Sequence, residues 1–319
     1  MSMTNALNPI PSTRVVLFSR SADIGYIGEA LRAACPVLDV VRWPDPACAS
    51  AEVAIGWDAP PGIYQQLPAL KLVHSIAAGV DNLIEGQDLQ GVPLCRVVDP
   101  RLAEGMVQYV LWGVLHFHRQ FDAAIRNQAR QAWQRPVQTR AASCRVGLLG
   151  MGELGAAVAR QLTALGYSVS GWSRTPKHLP GVKGFHAEEG LDAMLPETDI
   201  LVCLLPLTPA TQGILNGRLF DRLPEGACLI QCGRGRQLVE SDLRAALESG
   251  RLRGALVDVF EREPLDEQSP LWTAPGVWVT PHMATMADTA TVVEQVLGNI
   301  ARLHARQPLL NQVDLARGY

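Results

Sequence analysis

Short apolar runs alternate with helix-like stretches along most of the chain, a pattern typical of parallel α/β domains. In the first part of the chain, the apolar runs lie at residues 13–19, 36–43, 51–57 and 70–79. The rhythm restarts at residue 145, with apolar runs at 145–150, 167–173, 200–206, 228–234, 254–259 and 277–282. The pattern therefore predicts an α/β chain with two Rossmann-like or flavodoxin-like parallel-sheet domains.

Two helix patterns help to place the domain boundaries. Residues 103–121 are apolar almost all round, which predicts a helix buried between domains or between subunits. His116 and His118 lie two positions apart, the wrong spacing for one helical face, and we interpret them as packing residues. A second pattern, at residues 289–307, is amphipathic and is expected to return to the first domain. Its apolar stripe consists of Val292, Val293, Val296, Leu297 and Ile300.

These helices divide the chain into a discontinuous domain, residues 1–100 plus 285–319, and a continuous domain, residues 101–284. The length of 319 residues agrees with two domains, since it exceeds what one typical core accommodates.

Composition excludes several classes of partner and site. The net charge is −3, and lysine and arginine are scattered, so neither nucleic acid nor a membrane surface is an expected partner. The first 14 residues, MSMTNALNPIPSTR, lack the continuous apolar core of a signal peptide, and a cytoplasmic protein is expected. The seven cysteines are spread widely and form no CxxC pair. Neither a disulfide framework nor a metal site is therefore expected.

A glycine-rich turn follows the first apolar run of the second part. Gly150, Gly152 and Gly155 match the G-x-G-x-x-G spacing, directly after the strand-like RVGLL and at the start of a small-residue helix pattern. Such a turn lets a pyrophosphate approach the backbone at a helix N-terminus. A plain structural turn is the alternative, but the strand and helix on either side favour a cofactor. The predicted phosphate loop also includes Met151, Glu153 and Leu154.

The next strand run ends in a cation where an acid is common. A carboxylate about 20 residues beyond the glycines usually accepts hydrogen bonds from the adenosine ribose. Here Ser173 and Arg174 hold that place, and Lys177 follows closely. An arginine pairs well with a 2′-phosphate, so the segment predicts NADP(H) in preference to NAD(H). The alternative is that Arg174 is an ordinary solvated loop residue.

Three later segments place polar groups directly after strand runs: 231–243, 258–265 and 280–284. Ligands bind at the carboxyl ends of parallel strands, so an arginine, a glutamate and a histidine from these segments can converge. The chain carries GMGELG, QCGRG, DVFEREP and TPHMA in that order. With these motifs it resembles the D-isomer-specific 2-hydroxyacid dehydrogenases over nearly its whole length, and among them the glyoxylate/hydroxypyruvate reductases.

The resemblance implies roles for three catalytic residues. Arg234 would bind the substrate carboxylate and polarise the keto oxygen, a task suited to the guanidinium fork. His282 would be the general acid and base. Glu263 would orient the imidazole, and it is preferred over Glu261 because the family motif ends in the EP dipeptide.

The resemblance also implies binding residues in both domains. Leu205, Pro206 and Cys232 would lie beside the cofactor, and Asp258 would contact the nicotinamide amide. The continuous domain would bind NADP, and the discontinuous domain would bind the substrate, with the active-site cleft between them. In the segment 74–83, the backbone N–H groups around Ala78 and Gly79 would take the substrate carboxylate, with a simple strand-to-helix turn as the alternative. Trp57 is interpreted equally well as a wall of the cleft or as a core residue.

Two departures from the family pattern bear on the substrate. Gln231 replaces the usual asparagine, and Met283, Ala284 and Thr285 replace the usual glycine pair after TPH. The second departure is similar to the glyoxylate/hydroxypyruvate subgroup. We therefore predict an NADPH-dependent reductase of a small 2-keto acid, giving the D-2-hydroxy acid, that acts as a homodimer. The alternatives are a reductase of bulkier, phenylpyruvate-like acids and a non-enzymatic, dinucleotide-sensing corepressor.

Overall fold

The computed structural model describes residues 10–315, which form two compact units. The first unit takes in the chain up to Pro100 and again from Met286, and the second is Arg101–Thr285. Most of the N-terminal stretch tested for a signal peptide lies outside the described residues, as do residues 316–319.

The first unit contains a five-stranded parallel sheet. Its elements are β1 (Thr13–Phe18), α1 (Gly25–Ala34), β2 (Leu38–Arg42), β3 (Val53–Gly56), β4 (Leu72–Ser75), α2 (Asp81–Ile84) and β5 (Leu94–Cys95). The strand order is β2-β1-β3-β4-β5, the flavodoxin-like order. Alternate residues of β1 enter apolar cores on opposite faces of the sheet, Val15 on one and Val16 on the other. Burial on both faces explains why the strands appear in the sequence as continuous apolar runs.

The second unit contains a seven-stranded parallel sheet. Its elements are α3 (Leu102–His118), α4 (Phe121–Ala129), β6 (Arg145–Leu149), α5 (Glu153–Ala164), β7 (Ser168–Ser173), β8 (Val182–His186), α6 (Ala187–Met194), β9 (Ile200–Cys203), α7 (Gly217–Phe220), β10 (Ala227–Gln231), α8 (Glu240–Glu248), β11 (Leu252–Val257) and β12 (Val277–Val279). The strand order is β12-β11-β10-β9-β6-β7-β8. The order reverses between β6 and β9, and ligands bind open α/β sheets at such a point. The two parallel sheets confirm the predicted α/β fold class.

The final helix, α9 (Thr289–His304), lies in the first unit and packs on α1. The five apolar residues of the predicted stripe are buried in the core that contains Val15 and Leu31. The chain therefore returns to the first unit after completing the second.

The apolar helix of the second unit is shorter than the pattern predicts. α3 ends at His118, and Gln120, in the left-handed region with φ 56°, separates it from α4. His116 is buried against aromatic rings, including Trp278 at 4.7 Å between centroids. His118 Nδ1 lies 3.0 Å from the hydroxyl of Tyr167, so both histidines pack within the unit.

Two strands have no counterpart in the apolar pattern. β8 lies at the edge of its sheet, and only Val182 and Phe185 of its five residues are even half-buried. β5 is two residues long. An exposed edge and a short strand leave no apolar run to detect.

All seven cysteines are free, and all except Cys35 are buried. Burial raises the pKa of the buried thiols, to about 12 for Cys95, Cys203 and Cys228, so these thiols stay protonated at neutral pH. Between residues 10 and 315, no group of three or more histidine, cysteine, aspartate or glutamate side chains is arranged to hold a metal ion. No helix of this part of the chain is both long and apolar enough to span a membrane.

Candidate active site

The glycine turn connects β6 to the N-terminus of α5. Gly150 has φ +103°, and a Cβ there would lie 2.9 Å from the carbonyl oxygen of Leu204, so this position requires glycine. A Cβ at Gly155 would overlap the carbonyl oxygen of Gly150, which means that helix and turn pack at backbone contact. A Cβ at Gly152 would meet no atom within 4 Å. The three glycines thus provide the sharp turn, the close packing and the open space that a dinucleotide pyrophosphate needs.

The residues between these glycines have different environments. The Met151 side chain is buried and lies against Gly171 on the neighbouring strand β7. Glu153 and Leu154 begin α5, where backbone N–H groups lack partners within the helix. Of the predicted phosphate loop, it is this helix N-terminus that offers free N–H groups to an anion.

The end of β7 carries the cationic segment. Ser173 donates its hydroxyl proton to the carbonyl oxygen of Thr175 at 2.8 Å, so that proton is used within the turn. Arg174 and Lys177 are exposed, and neither forms an ion pair in the part of the chain that the structure describes. The two cations follow the strand next to the glycine turn and are available to an anionic ligand.

The loop after β9, residues 204–208, lies beside the glycine turn. Leu204 donates its N–H to the carbonyl of Leu149 at 2.8 Å, which continues the pairing of β9 with β6. The carbonyl oxygens of Leu205 and Pro206 each accept a hydrogen bond of 3.0 Å from Nε2 of Gln237. This loop, which we call the β9 loop, is therefore tied to the segment that follows β10.

That segment, residues 232–237, carries Arg234 and is called the arginine loop below. Its first residue, Cys232, is buried, and burial raises the pKa of its thiol well above the usual value. Gln231, at the end of β10, donates from Nε2 to the carbonyl of Arg234 at 2.8 Å. Arg234 Nη1 donates to the carbonyl of Gly233 at 2.8 Å, and the Arg234 N–H donates to Gln237 Oε1 at 2.8 Å. Two buried glutamines thus hold the backbone that presents the arginine.

Gly235 brings the arginine loop against the segment after β11. A Cβ at this position would overlap the carbonyl carbon and oxygen of Phe260. Phe260 belongs to the DVFEREP segment, which also carries Glu263. Contact between the two backbones therefore sets the spacing of Arg234 and Glu263, and only glycine permits it.

Asp258 organises the segment after β12. Its side chain is buried, and its two carboxylate oxygens accept hydrogen bonds from the N–H groups of Met283 and Ala284, each at 2.9 Å. The Thr280 hydroxyl donates to the same carboxylate at 2.6 Å and lies 2.5 Å from the hydroxyl of Tyr109. The nicotinamide contact predicted for Asp258 stays a prediction. In the structure this carboxylate anchors residues 280–284.

His282 lies within that anchored segment and faces Glu263. Its backbone has φ 51°, and its N–H donates to the Asp258 carbonyl at 2.9 Å. The ring Nδ1 is 2.7 Å from Glu263 Oε2, while Glu263 Oε1 accepts the Phe260 N–H at 3.0 Å. A carboxylate accepts a proton-bearing Nδ1, which leaves Nε2 as the ring nitrogen for proton exchange. Both side chains are about one-third exposed or less, at 31% and 26%, so the pair is open to a ligand.

The predicted substrate loop lies in the first unit, after β4. Ser75 donates its hydroxyl to the carbonyl of Gly79 at 3.0 Å and accepts the N–H of Ala77 at 3.0 Å. Among the described residues, no hydrogen bond uses the backbone N–H groups of Ala78 and Gly79. These two groups are thus available to an anion, as a backbone nest requires. Trp57 follows β3 and is half-buried, so its two interpretations both stay open.

The sequence motifs did not indicate Gln237 or Tyr109. Gln237 follows the RG pair in a segment that the motif does not define, and Tyr109 lies in the apolar helix α3. Gln237 also bonds to Leu205 and Pro206, and Tyr109 to Thr280, partners that are distant in sequence. The four motif segments of the second unit, by contrast, each come at the end of a strand.

Comparison with known proteins finds one family and several solved structures that this chain resembles. Residues 111–284 match the family model of the NAD-binding domain of D-isomer-specific 2-hydroxyacid dehydrogenases. A D-isomer-specific 2-hydroxyacid dehydrogenase family protein from Klebsiella pneumoniae 342 is 42% identical, with a TM-score of 0.91, and the match covers 96% of this chain and 98% of that one.

Two further crystal structures contain a nicotinamide cofactor. A D-isomer-specific 2-hydroxyacid dehydrogenase from Xanthobacter autotrophicus Py2, in complex with NADPH and MES, is 42% identical, with coverage of 97% and 100% and a TM-score of 0.85. The NADPH-dependent glyoxylate/hydroxypyruvate reductase of Sinorhizobium meliloti, in complex with NADP and sulfate, is 39% identical, with coverage of 96% and 100% and a TM-score of 0.86.

Proposed function

Since this chain belongs to the D-isomer-specific 2-hydroxyacid dehydrogenases, a family of nicotinamide-dependent oxidoreductases, we propose that it reduces a small 2-keto acid to the D-2-hydroxy acid. Glyoxylate and hydroxypyruvate are the first substrates to test, and NADPH is the proposed cofactor. The observation that carries the proposal is the His282–Glu263 pair, at 2.7 Å between Nδ1 and Oε2. This pair follows two strands of the sheet that also carries the glycine turn.

The residues of the second unit fit a dinucleotide. The open space at Gly152 and the start of α5 suit the pyrophosphate, and Arg174 and Lys177 suit a 2′-phosphate. When it is bound, NADPH supplies the hydride. The relatives from Xanthobacter autotrophicus and Sinorhizobium meliloti, with NADPH and NADP in their crystals, support the same choice.

The chain itself is proposed to bind the keto acid and to move the proton. The Arg234 guanidinium pairs with the substrate carboxylate and draws electron density from the keto oxygen. His282 donates the Nε2 proton to that oxygen, so that the carbonyl becomes an alcohol as the hydride reaches its carbon. Glu263 holds the ring so that Nε2 faces the substrate, and its carboxylate stabilises the proton-bearing imidazole.

A substrate panel tests this function. We expect the purified protein to oxidise NADPH with glyoxylate and hydroxypyruvate at a higher kcat/KM than with phenylpyruvate, measured by initial rates at 340 nm. Preference for phenylpyruvate would instead identify the reductase of bulkier acids. NADPH binding without turnover of any keto acid would favour a dinucleotide-sensing binding protein.

Cofactor preference is expected to depend on Arg174. The wild type should use NADPH at least about tenfold better than NADH in kcat/KM, and Arg174→Ala should remove that advantage, a change of about 1.4 kcal/mol. The physical reason is that the substitution deletes the guanidinium that pairs with the 2′-phosphate and leaves the NADH contacts intact. Initial rates with both cofactors measure the ratio.

Arg218→Ala is the matched control for the loss of a charge, since Arg218 is also exposed but lies on α7. It should leave the NADPH to NADH ratio unchanged. A ratio that survives Arg174→Ala, or that falls equally in both variants, would show that the segment after β7 does not select the cofactor.

The expected homodimer also stays a proposal. Four apolar side chains of α3 and α4 are exposed by about two-fifths or more: Trp112, Leu115, Phe121 and Ile125. Exposed apolar side chains on two consecutive helices favour association with a second copy. Sedimentation equilibrium measures the mass in solution, and the mass of a monomer would contradict the proposed homodimer.

A further inference from the structure

Gln237 connects two loops that the family resemblance assigns to different ligands. It follows the arginine loop's RG pair, and its side chain is fully buried. The β9 loop is assigned to the cofactor, and Arg234 is assigned to the substrate carboxylate. The Gln237 carboxamide contacts both loops, although Gln237 is not among the residues expected to touch either ligand.

Each end of this carboxamide serves a different loop. Nε2 donates to the carbonyl oxygens of Leu205 and Pro206 in the β9 loop, both at 3.0 Å. Oε1 accepts the backbone N–H of Arg234 at 2.8 Å and lies 3.6 Å from the Cys203 sulfur. Both amide protons and the carbonyl oxygen are therefore in use. A carboxamide so constrained passes a displacement of one loop to the other, because neither end rotates without losing a buried hydrogen bond.

Close packing removes the space in which the side chain would otherwise adjust. A Cβ at Gly233 would overlap Gln237 Oε1 and would lie 2.9 Å from the Leu205 carbonyl oxygen. The absence of a side chain at Gly233 thus lets the β9 loop, the arginine loop and the carboxamide meet directly.

The β9 loop also contacts the glycine turn, which is proposed to hold the cofactor pyrophosphate. The Leu204 carbonyl lies against Gly150 of the glycine turn. The Pro206 carbonyl accepts a second hydrogen bond, from Thr211 Oγ1 at 2.7 Å. Thr211 and Gln237 thus both hold the loop through the Pro206 carbonyl.

We propose that Gln237 is a positioning residue that couples cofactor binding to substrate binding. A cofactor bound beside the β9 loop fixes the position of the loop's carbonyl groups. The Gln237 carboxamide transmits that position to the Arg234 N–H. Arg234 then binds the keto-acid carboxylate more tightly. The coupling is reciprocal, so a bound carboxylate raises the affinity for NADPH by the same factor. This inference rests on the proposed function of the two loops.

Gln231 is a matched control within the same structure. It is also a fully buried glutamine, and its side chain also holds the arginine loop, through the carbonyl of Arg234 at 2.8 Å and the N–H of Gly233 at 3.3 Å. Its hydrogen bonds to these residues do not reach the β9 loop. Replacement of Gln231 therefore disturbs Arg234 and leaves the hydrogen bonds from Gln237 to the β9 loop in place.

The test measures binding by calorimetry, with oxalate as a carboxylate probe that cannot be reduced. The wild type is expected to bind oxalate at least about tenfold more tightly with saturating NADPH than without it, which is about 1.4 kcal/mol of coupling. Gln237→Met keeps the length of the side chain and removes the carboxamide. Gln237→Glu keeps the acceptor for the Arg234 N–H and loses the donor to the β9 loop. In both variants the ratio of the two oxalate dissociation constants should fall towards one.

Gln231→Met is expected to weaken oxalate binding with and without NADPH and to leave their ratio at the wild-type value. Coupling that persists in both Gln237 variants, or a loss of affinity without a change in the ratio, would overturn the inference and leave a purely structural role. A wild-type protein that binds NADPH but not oxalate would overturn the proposed function as well. The affinity for NADPH alone shows that each variant is folded.

Discussion

His282→Asn is expected to lower kcat for keto-acid reduction by about 10² to 10⁴-fold, the usual contribution of a positioned general acid. The 2.7 Å hydrogen bond from Nδ1 to Glu263 places the exchangeable proton on Nε2. An asparagine amide is far too weak an acid to donate a proton to the developing alkoxide. Steady-state kcat with glyoxylate at saturating NADPH measures the effect. A fluorescence titration with NADPH should show that the affinity for the cofactor is retained.

His186→Asn is the control for this change. His186 is exposed at the end of β8, where it makes no hydrogen bond through its side chain among the described residues. It should keep the wild-type kcat. A His282 variant as active as the His186 variant would remove His282 from the chemistry and would leave the reduction without an identified acid.

Gly235→Ala is expected to lower kcat/KM by at least about 10²-fold, because misplacing a catalytic group by about 1 Å costs that much. The new methyl group would overlap the carbonyl of Phe260, so the arginine loop must move away from the segment that carries Glu263. Overpacking of this kind also destabilises a protein by about 1–3 kcal/mol. Kinetics with glyoxylate and a thermal unfolding curve separate the loss of activity from the loss of stability.

Gly298→Ala is the matched glycine control. Gly298 lies in α9 of the first unit, and a Cβ there would meet no atom within 4 Å. Since alanine is the better helix former, this variant should be more stable by about 0.5–1 kcal/mol, with unchanged kinetics. If Gly235→Ala kept the kinetics of Gly298→Ala, contact between the two loops would not be what sets the spacing of Arg234 and Glu263.

Local chemistry made most of the candidate site predictable. The spacing of Gly150, Gly152 and Gly155 specifies a turn that few other residues permit, and this constraint is confined to six consecutive positions. The buried strands of both sheets are recognisable in the sequence as apolar runs because both of their faces are covered. Arg234, Glu263 and His282 come within six residues of the ends of β10, β11 and β12, so the sequence alone predicts them near the ligand-binding edge of the sheet.

Tertiary structure alone decided the parts that depend on contacts between distant segments. β8 lacks an apolar pattern because it lies exposed at the edge of the sheet, and only its pairing with β7 makes it a strand. The α3 pattern runs past His118, and Gln120 breaks the helix where no proline or glycine marks an end.

The same reason applies to the residues that support the site. Gln237 bonds to Leu205 and Pro206, more than 30 positions away, and Tyr109 reaches Thr280 across 171 positions. A hydrogen bond between distant segments leaves no periodicity or motif in the chain. The sequence by itself determined the fold class and the residues proposed for the chemistry. The folded chain decided which buried polar groups hold those residues in place, because only folding brings their partners together.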